Sequence, residues 1–348
     1  MTVSSGGSGG SKDPPLQEGQ PQEAGPPEGR QRLRSLRRGG SLDPPTPADI
    51  GVAAQLACLL EVSAPKPGNV SPGRHFVDLR YEDFLASSVV IGGPLAGAGT
   101  QSVGVTVRLA IDATARWAHS NTNLGIVLLL APLARAALRE QEKGVGSLFD
   151  PESKKTPDPF FPSLRESLRG VLDETTIDDA RDVYAAIRQA RPGGLGRAVV
   201  QDVADEPTLT LLQVMRLAIE RDLIAREYAT AFEVTFETGV PVLYQGRRDG
   251  LSWDDAIVET FLTLLSKNLD THVIRRSGAA VATDVSERAR GALDAGGVRS
   301  GAGRRAIEEM DAALRDARNS GNPGTTADLT AAAIFVVLLA GGWRHASL

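Results

Sequence analysis

The chain has 348 residues, of which 41% are hydrophobic and 23% are charged, as is normal for a globular protein. The formal net charge of -5 argues against nucleic acid as the main partner, because proteins that bind the phosphate backbone are usually basic. No apolar run reaches the roughly 20 residues of a membrane-spanning helix, and the N-terminus lacks the pattern of a signal peptide, so neither a membrane nor secretion is expected. Because Cys58 is the single cysteine, an intrachain disulfide is excluded and a reducing compartment, the cytoplasm, is predicted.

The first part of the chain, residues 1–47, is predicted to be a disordered tail. It is rich in Gly, Ser, Pro and Gln and contains almost no large apolar side chain, so it cannot bury enough surface to offset its ordering entropy. The basic stretch at residues 30–38 is interpreted as part of this solvated tail, with a nucleic-acid or membrane contact as the alternative. The remainder, residues 48–348, is predicted to form a single all-α domain of many helices.

The first predicted helix begins near residue 47 and ends by residue 63, because prolines at 65 and 67 disfavour helical geometry just before them. Cys58, within this helix, is interpreted as a small core residue rather than a nucleophile. The apolar face of the helix is predicted to comprise Val52, Leu56, Leu59 and Leu60.

Further helices are predicted from apolar residues at helical spacing in residues 211–219 and 329–337, and the second of these is apolar all round and should be buried. Residues 101–117 alternate between apolar and polar side chains, which is typical of a strand. The alternation is longer than the usual strand of about 5 or 6 residues. We predict a helix there because the family resemblance described below implies one. Residues 148–161 and 191–196 are predicted loops because of their Pro and Gly content.

A first candidate binding segment spans residues 61–78, with the sequence EVSAPKPGNVSPGRHFVD. Lys66 lies between two prolines, so the backbone around it is stiff before a ligand arrives. Gly68 allows a close approach or a positive φ. Asn69, Arg74 and His75 follow at short range. This arrangement suits an anionic ligand, since little entropy is lost on binding. The alternative is a Pro-rich turn with solvated charges.

Two further segments carry clustered polar residues. In HSNTNLG, residues 119–125, Asn121 or Thr122 can cap the following helix, or the helix N-terminus can bind a phosphate or ribose. In DTHVIRR, residues 270–276, the side chains of Asp270, His272 and Arg275 lie within two helical turns. They can bind a metal, a triphosphate or a sugar hydroxyl, and the alternative is a helix end with an ion pair.

The fourth segment, NPGTTAD at residues 322–328, enters the helix that is apolar all round. Asn322 is the predicted N-cap, followed by a proline at the first helical position. Asp328 lies one turn in, on the same side as Thr325. A hydroxyl and a carboxylate beside a positive helix end are typical of a magnesium-triphosphate site, although plain capping explains the same residues.

The motifs EVSAPKPGNV, SNTNLG, DTHVIRR and NPGTTADL occur in this order, and together they resemble the triphosphoribosyl-dephospho-CoA synthase family. The similarity covers roughly residues 48–339. It implies an all-α enzyme that takes ATP and 3'-dephospho-CoA, expels adenine, and joins the triphosphoribosyl group to the ribose 2'-hydroxyl of the acceptor.

The sequence departs from the family pattern at residues 121–125, where Asn123 and Leu124 replace the His and Lys of N-T-H-K-G. The variant resembles a branch linked to one-carbon metabolism. One alternative that this branch implies is a related ATP-using step in the biosynthesis of a pterin or furan one-carbon carrier. The other, in keeping with the missing His and Lys, is a nucleotide-binding protein without catalysis.

The resemblance and the residue chemistry together predict the following roles in a substitution at C1' of a nucleotide ribose. Lys66 and Arg275 bind phosphate, Asp270 and Asp328 hold Mg2+ or face the sugar cation, and His75 or His272 is the base for the acceptor hydroxyl. The expected ligands are ATP, as a substrate, and Mg2+, and a homo-oligomer is compatible with the sequence. The remaining residues expected to position the nucleotide are Asn69, Asn121, Thr122, Asn322 and Thr326.

Overall fold

The structure is a computed structural model that describes residues 45–77, 79–118, 120–142, 162–316 and 320–341, with the isolated residues 1, 7 and 343. The predicted tail, apart from its last three residues, and the predicted loop at 148–161 lie outside these ranges. Within them the regular elements are helices, and the only β-type pairing is an isolated bridge between Ser71 and Arg74. The predicted all-α fold is therefore confirmed.

Most of the described connections between helices are short, and the loop at residues 191–210 is a long one. Short 3-10 turns occur at Gly97–Gly99 and Gly297–Arg299, and the helix widens to π geometry at Thr235–Gly239. The α-helices are α1 Pro47–Ser63, α2 Tyr81–Val90, α3 Gly92–Ala96, α4 Val103–Ala115, α5 Leu124–Glu142, α6 Pro162–Asp173, α7 Ile177–Ala190, α8 Leu211–Leu217, α9 Leu223–Thr230, α10 Val240–Arg248, α11 Trp253–Lys267, α12 Thr271–Ser277, α13 Ala279–Asp294, α14 Gly301–Leu314 and α15 Gly324–Leu339.

Helix α15 lies at the centre of the domain, as its apolar sequence predicts. It packs against α1, α5, α10 and α11. Its side chains from Leu329 to Val337 are buried on every face. A helix without a polar face needs neighbours all round it, so the segment that enters α15 is carried into the interior of the domain.

The apolar face predicted for α1 is wrong. Val52 is exposed and the three predicted leucines are only partly buried, while the buried face consists mainly of small residues such as Ala53, Ala54 and Ala57. The reason is close helix packing. A Cβ atom on Gly51 would lie 2.8 Å from the carbonyl oxygen of Gly92, so α1 approaches α3 at a distance that only small side chains allow. Cys58 is buried, in agreement with its predicted core role.

The alternating segment forms α4, so the predicted helix is confirmed. Ser102 caps it by accepting a hydrogen bond from the Val105 N–H at 3.3 Å. The buried side chains follow helical spacing and include Val103, Val107 and Ala110, while Leu109, an apolar member of the alternation, is partly exposed. The same letters fit both periods, and packing of this face against α7 selects the helix.

A buried carboxylate stabilises the junction between α9 and the π segment. Glu227 is fully buried, and its two oxygens accept hydrogen bonds from the N–H groups of Val234 at 2.9 Å and Thr235 at 3.1 Å. Burial raises the pKa of Glu227 to about 7, although these hydrogen bonds favour the ionised form.

Candidate active site

A cavity of about 1050 Å3 lies where the four polar segments of the sequence meet. Each segment contributes to its lining, for example through Asn69, Asn121, Arg275 and Asp328. These residues are spread from position 69 to position 328 of the sequence, and helix capping alone does not explain why they lie close together. Their convergence is what a shared ligand requires.

The acidic part of the lining is formed by Glu61 and Asp328. Glu61, near the end of α1, is buried and forms an ion pair with Lys66, with 2.9 Å between Oε1 and Nζ. Lys66 also donates to the Glu61 and Ala64 carbonyl oxygens. Its ammonium is therefore fully engaged, and Lys66 is absent from the described lining of the cavity.

The carboxylate of Asp328 receives no hydrogen bond from the residues that the structure describes. It lies against Gly125 at the start of α5, where a Cβ atom would be 2.0 Å from Asp328 Oδ2. Burial first, and then the negative charges of Glu61 and Asp270, raise the pKa of Asp328 well above its usual range. A cation in the cavity would relieve this unfavourable concentration of negative charge.

Orphaned amide oxygens face the same space. Asn69 and Asn123 are almost fully buried and line the cavity, and the Oδ1 atom of each has no hydrogen-bond partner among the described residues. Asn69 donates through Nδ2 to Asn322 Oδ1 at 2.7 Å, and Asn123 donates through Nδ2 to Thr114 Oγ1 at 3.0 Å. Buried polar atoms are rarely left unsatisfied, so these oxygens indicate a place for a ligand.

The second predicted segment combines capping with cavity lining. Asn121 accepts a hydrogen bond from the Leu124 N–H at 3.1 Å, which is the capping contact at the start of α5. Thr122 is buried and donates to Ser87 Oγ at 2.8 Å. Both residues also line the cavity, so the two interpretations of this segment hold together.

On α12, the side chains of His272 and Arg275 line the cavity. Arg275 donates to Asp222 Oδ2 at 2.6 Å, and its buried Nε has no described partner. Burial lowers the pKa of His272 to about 4, and the positive charges of Arg275 and Arg276 add to this effect. His272 is therefore a neutral imidazole at physiological pH, as a general base must be.

Asp270, which is predicted to hold Mg2+ or to face the sugar cation, does not line the cavity. It is fully buried. Oδ1 caps α12 by accepting from the Val273 N–H at 3.0 Å, and Oδ2 accepts from the N–H and Oγ1 of Thr326 at 2.7 and 2.8 Å. One carboxylate thus joins the N-termini of α12 and α15, and Asn322 is not the side-chain cap that its sequence context predicts.

Seven of the eleven predicted site residues line the cavity and four do not. His75 is exposed in the loop after α1, Lys66 is engaged by Glu61, and Asp270 and Thr326 bond to each other. Direct ligand contacts for these four have no geometric support. The seven in the lining are Asn69, Asn121, Thr122, His272, Arg275, Asn322 and Asp328.

The lining also contains residues that sequence reasoning missed. Glu61 stands at the head of the EVSAPKPGNV motif, so its position was a usable signal. Asp222 and Arg221 lie outside all four motifs, and only their contacts in three dimensions reveal them. The loop after α7 contributes Arg191, which the Pro and Gly content marks only as part of a loop.

No helix in the described ranges is long and apolar enough to cross a membrane. In the same ranges, no three His, Cys, Asp or Glu side chains are grouped as a metal site, so a cation held there would need amide, water or substrate oxygens as further ligands.

The fold and the cavity together define a class of all-helical proteins in which the starts of several helices border one large cavity lined by polar and apolar side chains. Within that class, residues 47–347 match the model of the family described as ATP:dephospho-CoA triphosphoribosyl transferase, and the chain belongs to this family. The resemblance predicted from the four motifs is confirmed.

Relatives agree with this assignment. A triphosphoribosyl-dephospho-CoA synthase structure from Archaeoglobus fulgidus is 28% identical, with a TM-score of 0.57, and covers 75% of this chain and 99% of that one. Proteins named 2-(5''-triphosphoribosyl)-3'-dephosphocoenzyme-A synthase from Stutzerimonas stutzeri and Pseudomonas paraeruginosa are each 37% identical, over 32% and 34% of this chain. These matches span only 38% and 41% of the lengths of the two curated relatives.

Proposed function

We propose that the protein transfers the triphosphoribosyl group of ATP to a ribose-type hydroxyl of a nucleotide acceptor, 3'-dephospho-CoA in the family, with release of adenine. The observation that carries this proposal is the single cavity to which all four motifs contribute. Its volume of about 1050 Å3 is at the upper end of the roughly 300–1,000 Å3 of ordinary ligand pockets, as expected for two substrates bound side by side.

In this reaction the bond between adenine N9 and C1' breaks, and a bond forms between C1' and the acceptor oxygen. The proton lost by the acceptor hydroxyl balances the proton that the departing adenine gains. Positive charge develops on the ribose, and the carboxylates of Asp328 and Glu61, which line the cavity, are our candidates either to stabilise it or to hold Mg2+. His272, neutral and in the lining, is the candidate base for the acceptor, and the exposed position of His75 argues against the other candidate.

The residues present fit Mg2+. Asp328, Glu61 and the orphaned Oδ1 atoms of Asn69 and Asn123 offer the hard oxygen ligands that this ion prefers. Asp270 is the weaker candidate, because it does not line the cavity and both of its oxygens accept hydrogen bonds. When bound, Mg2+ would neutralise charge on the triphosphate. Lys66, with its ammonium on Glu61, positions that carboxylate instead of binding phosphate itself.

The test is incubation of the full chain with MgATP and 3'-dephospho-CoA, followed by chromatography of the bases and mass spectrometry of the acceptor. We expect free adenine and an acceptor that is heavier by the triphosphoribosyl group. Asp328→Asn should slow adenine release by about 10²-fold, as expected for the loss of one preorganised electrostatic contact. Formation of ADP or AMP in place of adenine would identify a kinase- or ligase-like step and contradict the proposal.

Two other outcomes separate the alternatives. ATP binding without any turnover would indicate a nucleotide-binding protein. Adenine release with a different hydroxyl acceptor, and none with 3'-dephospho-CoA, would keep the reaction and change the acceptor. We place the protein in the cytoplasm on the strength of its single, buried cysteine.

A further inference from the structure

We propose that Arg191, Arg197 and Arg221 form a phosphate-binding subsite at the mouth of the cavity, which takes the phosphate groups of one of the two nucleotide substrates. This inference rests on the proposed function only in naming nucleotides as the source of the phosphate. None of the three arginines lies in a motif that identifies the family.

The first support is the absence of competing partners. The guanidinium groups of Arg191, Arg197 and Arg221 are exposed, and none has a hydrogen bond or ion pair with any residue in the described ranges. The two cations predicted to bind phosphate are both engaged, Lys66 by Glu61 and Arg275 by Asp222. A polyphosphate entering the cavity therefore finds its free guanidinium groups on this side.

The second support is the shape of the surface. A side cavity of about 260 Å3 is lined by Arg188, Arg191 and Arg197. It shares Ile187, Arg191 and several residues of the following loop with the main cavity, so the two cavities adjoin each other. Arg221 lines the main cavity beside this shared wall.

The third support is the rigidity of the loop that follows α7, residues 191–209. Asp202 accepts hydrogen bonds from the N–H groups of Ala198 at 2.6 Å and Ala204 at 2.9 Å, and the Tyr184 hydroxyl donates to the Gln201 carbonyl at 2.5 Å. Arg188 donates to the Val203 carbonyl at 2.7 Å. A loop that is fixed in advance loses little entropy when it binds an anion.

The loop is also held against the catalytic motif on α12. Gly194 has a φ of +74°, and a Cβ atom there would lie 2.8 Å from the Arg275 carbonyl oxygen. Only glycine permits this approach, which fixes the arginine-bearing loop beside His272 and Arg275.

The acidic groups nearby offset only part of this positive charge. The hydrogen bonds from Ala204 and Ala198 lower the pKa of Asp202, and the charges of Arg197 and Arg221 add to the effect. Its carboxylate is thus occupied by backbone N–H groups, and it forms no ion pair with either arginine among the described residues. Glu220 is exposed at the same rim and leaves the arginines in excess.

The experiment uses inorganic tripolyphosphate, ATP, 3'-dephospho-CoA and adenosine as separate probes in titration calorimetry. The variants are Arg191→Gln, Arg197→Gln and Arg221→Gln, singly and combined. The matched control is Arg216→Gln, an exposed arginine of α8 that has no described partner and lies outside both cavities. Thermal melting of each variant checks the fold, and little change is expected because these exposed side chains form no hydrogen bond or ion pair with the described residues.

We expect each single variant to weaken tripolyphosphate binding by about 5-fold or more and the triple variant by about 100-fold, as for the loss of charge-assisted hydrogen bonds. The control should change it by less than about 2-fold, and adenosine binding should not change. Weaker ATP binding with unchanged acceptor binding assigns the subsite to the triphosphate, and the reverse assigns it to the acceptor phosphates.

Two results would contradict the proposed subsite. In the first, the wild-type protein does not bind tripolyphosphate. In the second, the triple variant binds it as tightly as the control variant does. The outcome is separate from that of the transferase reaction. Arginine-dependent tripolyphosphate binding without adenine release would support the subsite and contradict the proposed function. Adenine release at the wild-type KM for both substrates in the triple variant would contradict the subsite alone.

Discussion

At the scale of single residues, the cavity concentrates negative charge around Asp328. The carboxylate has no hydrogen-bond donor in the described ranges, and burial together with Glu61 and Asp270 raises its pKa. Such an arrangement destabilises the empty protein and stabilises a bound cation, which is the usual relation between stability and function at an active site.

This charge predicts proton release on binding. A bound cation lowers the raised pKa of Asp328, so MgATP should displace protons from the wild-type protein at pH values where this carboxyl is protonated in the empty site. Titration calorimetry in two buffers of different ionisation enthalpy measures the number released. Asp328→Asn should release fewer protons and melt at the same or a higher temperature, because it removes a carboxyl group whose ionisation the fold disfavours. Equal proton release in both proteins would remove Asp328 from the cation site.

His272 gives a second prediction at this scale. Its folded pKa of about 4 lies below its unfolded value, so its contribution to stability is present above about pH 6.5 and is lost as pH falls toward 4. In an NMR titration, the imidazole signal that is missing from His272→Gln should change near pH 4. A midpoint near 6.5 would show an imidazole that is open to solvent, and would weaken its assignment as a base that is neutral across the physiological range.

At the scale of elements, the site depends on how the starts of α5, α12 and α15 are held together. Asp270 connects α12 to α15, and Gly125 lets α5 approach Asp328 on α15. Neither residue needs to touch a ligand. Both position residues that line the cavity.

Asp270→Asn tests the first connection. The amide places N–H groups where the carboxylate accepts hydrogen bonds from Val273 and Thr326, and leaving a buried donor unsatisfied costs about 1–3 kcal/mol. The variant should therefore unfold at lower urea concentration, and Asp328→Asn should not. If Asp270→Asn kept full stability and lost only MgATP affinity, a direct ligand role for Asp270 would be restored.

Gly125→Ala tests the second connection against a matched glycine. A methyl group at residue 125 would lie 2.0 Å from Asp328 Oδ2, whereas at Gly291, on the exposed side of α13, it would meet nothing within 4 Å. Gly291→Ala should stabilise the protein by about 0.5–1 kcal/mol through helix propensity. Gly125→Ala should instead displace Asp328 and reduce MgATP affinity. Similar effects of the two variants on affinity would show that the contact is not needed.

At the scale of the whole molecule, stability should depend on pH through Glu227. Burial raises its pKa to about 7, so the protonated form favours folding. This contribution is fully present below about pH 4.3, the unfolded value, and is lost as pH rises through 7. Urea unfolding of the wild type and of Glu227→Gln at pH 5 and pH 8 measures it. The wild type should lose about 1–3 kcal/mol more than the variant over this range. Equal losses would show that Glu227 is ionised throughout.

Local sequence signals predict several of the helices and the four segments that contribute to the lining of the cavity. Periodicity and caps predict α1, α8 and α15 because these signals are local, whereas the alternation over α4 fits a strand as well as a helix. The four motifs lie at helix ends and carry clustered polar side chains, and each of them contributes to the lining of the cavity. Local signals are short-range, so they are visible in the chain without its fold.

Only the tertiary structure decided which polar groups are free. Lys66, Arg275 and Asp270 are engaged by Glu61, Asp222 and Thr326, and two of these three pairs join residues more than 50 positions apart. The buried face of α1 was also undecidable from hydropathy, since close packing at Gly51 selects small side chains over leucines. A charged residue looks the same in the sequence whether its side chain is paired or free. Its partner is fixed by the packing of distant elements, which no local pattern records.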